Sequence, residues 1–312
     1  MKHILFIVNP VSARGATSRM WTGQRKRLAA LGLHFDEHVT TREGEAIEVT
    51  REALNAGINY IVAVGGDGTL SEVANGYFDG RSTAINPDAS IGLLPSGTGS
   101  DFHRSLGRPD WIRALTNDQT RSIDVARAQF TDRDGNRNCR VFVNVASFGL
   151  GGEVSALVNR WRNALPGWIG GSSRFAAAAI AALHRYKNVP VSIRADEREF
   201  HISSNLIIVA NGKFAGGGMM LAPHAEVDDG LLDLVLTDSA SRLDVIKELP
   251  RIRRGGYLRS PRVTELRARR VSIDSKRPLP IDLDGEIVGY TPASIEVLPA
   301  AIRLLSADAD SD

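Results

Sequence analysis

The sequence predicts an α/β protein of two domains, a Rossmann-like nucleotide domain followed by a mainly antiparallel β-sandwich. Three observations carry this. Residues 1–121 alternate short apolar strands with helical stretches. From residue 122 the chain changes to short strands joined by tight turns. Between them in weight stands the apolar run 60–64, which ends in Gly65-Gly66-Asp67-Gly68-Thr69. Alternation of strand and helix implies a parallel sheet covered on both faces, whereas serial strands imply antiparallel pairing.

In the first domain, strands are predicted at Ile4–Val8, 34–39, 60–64 and 91–94, and helices at 17–31, 46–56 and 70–77. Ligands of such sheets sit beyond the C-terminal strand ends. The loops there are Asn9-Pro10 with Ser12 and Gly15, the Gly65–Thr69 run, and Pro95-Ser96-Gly97-Thr98-Gly99-Ser100-Asp101-Phe102. The second domain, 122–299, has predicted strands at 124–130, 140–147, 191–195, 198–202, 204–210, 231–236, 262–273, Pro280–Leu283 and 294–298. Asp134-Gly135 and Asp196-Glu197 read as hairpin turns. A helical insertion is predicted at 153–186 and a helix at 243–257. A strand at 300–305 is a candidate to return to the first domain, ahead of an acidic tail.

The 312 residues carry 38 basic and 36 acidic side chains, a net charge of +2, which leaves no global nucleic-acid footprint. A single cysteine, Cys139, excludes an internal disulfide and fits a reducing cytoplasm. The apolar run Ile4–Val8 has only five residues before Asn9-Pro10 and reads as a buried strand rather than a secretory signal. No stretch is long and apolar enough for a transmembrane segment.

Three glycines around one aspartate are poor core material, so the Gly65–Thr69 run reads as a close approach to a polyphosphate. Backbone N–H groups would cradle its oxygens, Asp67 would hold the accompanying Mg²⁺, and the helix that follows would add its positive dipole end. A P-loop is set aside because no Gly-Lys-Ser/Thr follows a glycine-rich loop, and no G-x-G-x-x-G opens a helix. The 95–102 loop is a second candidate cradle.

Together these loops resemble the diacylglycerol kinase catalytic domain, the family of bacterial lipid kinases that also includes sphingosine and ceramide kinases. The resemblance continues through Asn144-Val145-Ala146-Ser147-Phe148-Gly149, Ala210-Asn211-Gly212, Gly216-Gly217-Gly218-Met219, Ala222-Pro223-His224-Ala225, Asp228-Asp229-Gly230 and Asp284-Gly285-Glu286. It implies nucleotide contacts from Asn9, Pro10, Val11, Ser12, Ala13, Thr40, Gly66, Asp67, Gly68, Thr69, Leu70, Ser71, Glu72 and Thr98, with Gly65 and Gly97 completing the two loops. It also implies a structural Mg²⁺ site on the Asp229 carboxylate and the backbone carbonyls of Glu226 and Leu231. Ser100 stands where the family commonly has asparagine.

The expected function is ATP-dependent phosphorylation of a lipid hydroxyl, diacylglycerol or a related bacterial lipid, with ATP and Mg²⁺ as cofactors. Asp67 is the candidate to orient the catalytic Mg²⁺ on the β- and γ-phosphates. Asp284 and Glu286, two apart in extended chain, share a face and would point into a cleft between the domains. One of them takes the hydroxyl proton, and residue pattern leaves open which. The rivals are an NAD kinase-like enzyme and a catalytically silent nucleotide- or lipid-binding regulator. The lipid would be presented at a membrane surface, so a cytoplasmic protein peripheral to the inner membrane face is expected, with a homodimer left open. Candidate membrane contacts are Trp161, Leu165, Trp168 and Ile169 beside Arg160 and Arg162, and the segment 251–270 with its eight arginines and one glutamate.

Overall fold

A computed structural model describes residues 2–96, 100–161, 171–185 and 187–307. It divides into two compact units, Met1–Asp124 with Ala300–Asp312, and Val125–Pro299.

The first unit runs β1 (Ile4–Val8), α1 (Ala16–Ala30), β2 (Phe35–Val39), α2 (Glu45–Asn55), β3 (Tyr60–Gly65), α3 (Asp67–Tyr77), β4 (Ser90–Pro95), α4 (Asp101–Ser105) and α5 (Trp111–Asn117). Its strands are parallel in the order β2-β1-β3-β4. Arg303 and Leu304 pair in parallel with Ser90 and Ile91 on the outer edge of β4. All five residues of β1 are buried, as helices on both faces of a parallel sheet require. On one face Phe6 packs against Trp21 and Phe35 with ring centroids 4.9 and 5.0 Å apart. On the other, α2 and α3 meet at Gly76, where a Cβ would lie 2.5 Å from the Ile47 carbonyl oxygen. Helix α3 starts at Asp67, earlier than its apolar face indicates, so Asp67 stands in its first turn.

The second unit begins within β5 (Thr120–Thr131) and continues through β6 (Arg137–Phe142), β7 (Val145–Gly149), α6 (Leu150–Trp161), α7 (Gly171–Ala182), β8 (Val189–Ala195), β9 (Arg198–Ser204), β10 (Leu206–Ala210), β11 (Phe214–Ala215) and β12 (Met219–Met220). It closes with β13 (Leu232–Thr237), α8 (Arg242–Ile252), β14 (Val263–Ala268), β15 (Arg270–Ser275), β16 (Pro280–Leu283) and β17 (Glu286–Leu305). Its main path is β14-β13-β10-β7-β16-β17; β15 joins β17 to the β8–β9 hairpin, and β5 joins β17 to β6. Strand β8 alternates buried and exposed positions, the pattern of a sheet with one wet face. Strand β10 is apolar on both faces: Ile207 and Val209 enter one core, Ile208 and Ala210 another.

Two predicted strands are split in the structure, and each split has a carboxylate behind it. The 140–147 stretch separates into β6 and β7 because the amides of Val143, Asn144 and Val145 all donate to Asp284. The 262–273 stretch separates into β14 and β15 where the Arg269 and Arg270 amides donate to the Asp196 carboxylate. Conversely, 294–298 and 300–305 belong to one strand of 20 residues, β17. In the helical insertion, Trp161 packs against the apolar cluster of α6, α7 and α8; Arg162, Leu165, Trp168 and Ile169 lie outside the described residues. No helix among the described residues is long and apolar enough to cross a membrane.

Because Gly76 sits against backbone as well as Thr50, the contact cannot relax by a rotamer change alone. Gly76→Ala is expected to destabilise by about 1–3 kcal/mol despite alanine's better helix propensity, read as a lower urea midpoint.

Candidate active site

The order β2-β1-β3-β4 makes a switch point between β1 and β3, where successive connections leave in opposite directions and open a crevice at the C-terminal strand ends. Asn9, Pro10, Val11, Ser12 and Ala13 follow β1, Thr40 follows β2, and Gly65 to Glu72 span the end of β3 and the start of α3. Backbone bonds tie these ends together: Asn9 N to Val64 O at 3.0 Å, Thr40 N to Val8 O at 2.9 Å, and Ser96 N to Gly65 O at 2.8 Å. Gly97 and Thr98 lie outside the described residues.

The loop after β1 is shaped by hydroxyls. Ser12 Oγ donates to the Asn9 carbonyl at 3.0 Å and lies 3.1 Å from Ser96 Oγ, and Thr17 Oγ1 bonds both serines. Ala13 and Arg14 hold φ of 48° and 57°, the left-handed region that L-residues with a Cβ resist.

Asp67 joins the two glycine-rich loops. Its Oδ2 accepts the Asp101 N–H at 2.9 Å and its Oδ1 the Phe102 N–H at 3.1 Å. Burial pushes this carboxyl above its ordinary value, while the two amides and the Arg104 guanidinium pull it back. With its own amide also bonded to it, the carboxylate has accepted three of about four possible bonds, which leaves one direction for a cation. Gly65 is required locally, since a Cβ there would lie 2.3 Å from Thr69 Oγ1. Gly66 and Gly68 are not: a Cβ at either meets nothing within 4 Å, so their glycines leave the space over the loop open. Thr69 Oγ1 and Ser100 Oγ are buried without hydrogen bonds. Orphan hydroxyls and an open cradle fit a polyphosphate ligand. Glu72 instead accepts the Ala46 N–H at 3.2 Å, linking α3 to α2, and the Thr40 hydroxyl donates to the Val8 carbonyl at 3.3 Å.

In the second unit, Asp284 and Gly285, with φ of 50° and 94°, form the two-residue turn between β16 and β17. Left-handed φ at both positions is the turn that Asp-Gly favours. Asp284 Oδ2 accepts Val143 N–H at 2.9 Å, and Oδ1 accepts Asn144 and Val145 N–H at 3.0 Å each. Its own N–H donates to the Val145 carbonyl at 3.0 Å. Asn144 continues the network: its side chain donates to Phe214 O at 2.7 Å, and its carbonyl accepts Asn211 and Gly212 N–H. Glu286 is placed differently. Among the described residues its carboxylate pairs with one side chain, Arg140 Nη1, at 2.8 Å, with a quarter of the Glu286 side chain exposed. Thus Asp284 is an anchor and Glu286 is the carboxylate presented outward.

Asp282, two residues before the turn, was not signalled by the sequence. It is buried and its Oδ1 accepts the Gly285 N–H at 3.0 Å. Burial pushes its carboxyl up to about 7, opposed by the Ser155 hydroxyl and the Gly285 amide and reinforced by Asp284 and Glu286.

At the Asp228-Asp229-Gly230 turn, Asp229 Oδ1 accepts the Leu231 N–H at 3.0 Å, and its Oδ2 is buried without a hydrogen bond, 3.5 Å from Arg267 Nη1. Neighbouring Asp233 is pushed up to about 6, mainly by burial. No cluster of three His, Cys, Asp or Glu side chains among the described residues is arranged to hold a metal. A cation at Asp229 would therefore need backbone carbonyls, such as those of Glu226 and Leu231, and would share Asp229 Oδ2 with the Arg267 guanidinium.

Arg140 and the amides of 101–102 and 143–145 were invisible to sequence reasoning. Arg140 reaches Glu286 across 146 residues of chain, and backbone donors carry no residue signature.

Two family models cover the chain: the diacylglycerol kinase catalytic domain matches residues 3–128, and the YegS C-terminal NAD kinase beta sandwich-like domain matches residues 144–306. A diacylglycerol kinase of Mycobacterium tuberculosis is 28% identical over 96% of this chain and 93% of its own length. A "Probable lipid kinase YegS-like" of Xanthomonas oryzae is 32% identical over 97% and 95%. A diacylglycerol kinase structure from Bacillus anthracis superposes with a TM-score of 0.68 at 22% identity, covering 98% of this chain and 97% of that one; at this identity the likeness speaks for the fold.

Two predictions follow from the turn at 284–285. Asp284→Ala leaves three backbone donors without their acceptor and is expected to cost about 3 kcal/mol or more, measured by urea unfolding. For Asp282, the folded state holds a proton that the unfolded chain has released above its ordinary value of 3.8. Its stabilising contribution is therefore complete below that value and lost as pH rises through about 7. The thermal midpoint should climb on acidification from neutral toward pH 5, and Asp282→Asn should flatten that climb; an unchanged slope would refute the assignment.

Proposed function

The chain belongs to the diacylglycerol kinase catalytic-domain family and is a lipid kinase, a phosphotransferase, and we propose that its donor is ATP and its acceptor the hydroxyl of diacylglycerol or a related bacterial lipid. The observation that carries the proposal is the presentation of Glu286 on a turn locked by Asp284, with Arg140 the one side chain paired with its carboxylate among the described residues. The relatives named diacylglycerol kinase align over nearly the whole chain, which supports that acceptor.

In this reading the backbone N–H groups after β1 and β3 bind the triphosphate, and Thr69 and Ser100 offer it their unpartnered hydroxyls. Phosphoryl transfer asks mainly for positioning and charge neutralisation. Magnesium, when bound, supplies the neutralising charge on the phosphates. Asp67 would hold the catalytic ion, and Asp229 with the Glu226 and Leu231 carbonyls a structural one. Glu286 accepts the proton of the lipid hydroxyl as its oxygen bonds to the γ-phosphorus and the bond to the bridging β,γ-oxygen breaks. Arg140 orients Glu286, and Asp284 keeps the turn from moving. The lipid is met at a membrane surface, so the protein works peripherally at the inner face, from the cytoplasm.

The test is transfer from radiolabelled Mg-ATP to a panel of diacylglycerol, a bacterial lipid extract and NAD. Label is expected in lipid and not in NAD. Glu286→Gln should lower kcat by about 10²–10⁴-fold with the fold intact; turnover at the wild-type rate would remove Glu286 from the base role.

A further inference from the structure

Helices α6, α7 and α8 close over one apolar cluster that includes Val154, Ala178, Ala179, Ala182 and Val245. With those residues turned inward, the opposite faces of α7 and α8 look outward. Those faces are not uniformly polar. Ile180 on α7 is 56% exposed, and Leu243 and Ile246, one turn apart on α8, are 66% and 44% exposed. The two helices are tied where the first ends and the second begins, by Arg242 Nη2 donating to the His184 carbonyl at 2.8 Å.

Charge around the exposed apolar pair of α8 is predominantly basic. Between Arg242 and Arg262 the chain carries seven arginines and lysines and two carboxylates. Both carboxylates are already matched. Asp244 caps α8 through Ser241 and pairs with Arg262 at 3.1 Å, and Glu248 pairs with Arg251 at 3.2 Å. Lys247, Arg253, Arg254 and Arg259 are exposed and form no ion pair among the described residues. The loop bearing the last three is held in shape, since a Cβ on Gly255 would lie 2.2 Å from Pro223 Cγ.

Resting on the lipid-kinase reading above, we propose that the outer face of α8, with the basic segment that follows it, is the surface by which this protein docks on an anionic phospholipid bilayer. Leu243 and Ile246 enter the boundary between headgroups and acyl chains, and Lys247, Arg253, Arg254 and Arg259 sit on lipid phosphates. Helix α8, of 11 residues, lies in the interface rather than across it. A second copy of this chain is the poorer occupant, because a two-fold contact would set the same cations against each other.

The experiment uses the full chain and vesicles of phosphatidylcholine alone or of phosphatidylcholine and phosphatidylglycerol in equal parts. Wild-type protein should co-sediment with the anionic vesicles only, and less so as salt is raised. Leu243→Ser with Ile246→Ser, and separately Arg253→Glu with Arg254→Glu, should each weaken that binding by about tenfold or more, with the thermal midpoint unchanged. Both variants should phosphorylate a short-chain, water-soluble diacylglycerol at the wild-type rate. Failure of the wild type on the soluble substrate would sink the acceptor reading and leave the docking result standing on its own. Vesicle binding insensitive to both variants, or a dimer in analytical ultracentrifugation that either variant dissolves, would overturn the docking proposal.

Discussion

The second unit is organised by one carboxylate bonded to three consecutive backbone amides. Asp284 takes the N–H groups of Val143, Asn144 and Val145, interrupts what would otherwise be one strand, and fixes the turn that presents Glu286. Bonds to an ionised acceptor are about twice as strong as neutral ones, and removing the acceptor strands donors in a buried place. The Asn144 carbonyl and side chain then carry the order outward to Asn211, Gly212 and Phe214. Three separate stretches of sequence, 143–145, 211–214 and 284–286, are thus referred to one side chain.

The same device recurs. Asp67 gathers the amides of Asp101 and Phe102, and Asp196 those of Arg269 and Arg270. In each case an aspartate far away in sequence sets the direction of a backbone segment. A carboxylate does this well because it accepts several bonds at once and needs no complementary side chain. Two of the three anchors belong to motifs that also bear the proposed chemistry. A single residue there fixes local shape inside a motif proposed to carry chemistry, so activity loss in a variant of Asp67 or Asp284 reports on geometry as much as on charge.

These anchors also explain how much was legible in the sequence. Alternating apolar strands and helices in the first 121 residues, and the glycine-rich loops at strand ends, are local patterns, and they led to the right fold class and family. The splits at 143–144 and 269 were not legible, because periodicity continues through them and the acceptor that breaks the ladder is remote. The long strand β17 was read as two because Pro299 and Ala300 interrupt its apolar alternation, yet the backbone runs on. Short helices such as α4 lack enough turns to show a period. At the site, the glycines and carboxylates were visible by type. The division of labour between Asp284 and Glu286, and the parts of Arg140 and Asp282, required contacts made across more than a hundred residues or set by burial.

The β17 residues beside β4 have a consequence for the order of events during synthesis. Arg303 and Leu304 supply the parallel neighbour of β4, and Leu305 and Ala307 enter the core made by Phe6, Trp21 and Leu115. These residues leave the ribosome only after all of Val125–Pro299. The nascent N-terminal unit therefore waits with one sheet edge open and part of its core unfilled while the inserted unit is being made. Its closure is a late event, and the crevice at the C-terminal strand ends acquires its finished support only after Val125–Pro299 has been made.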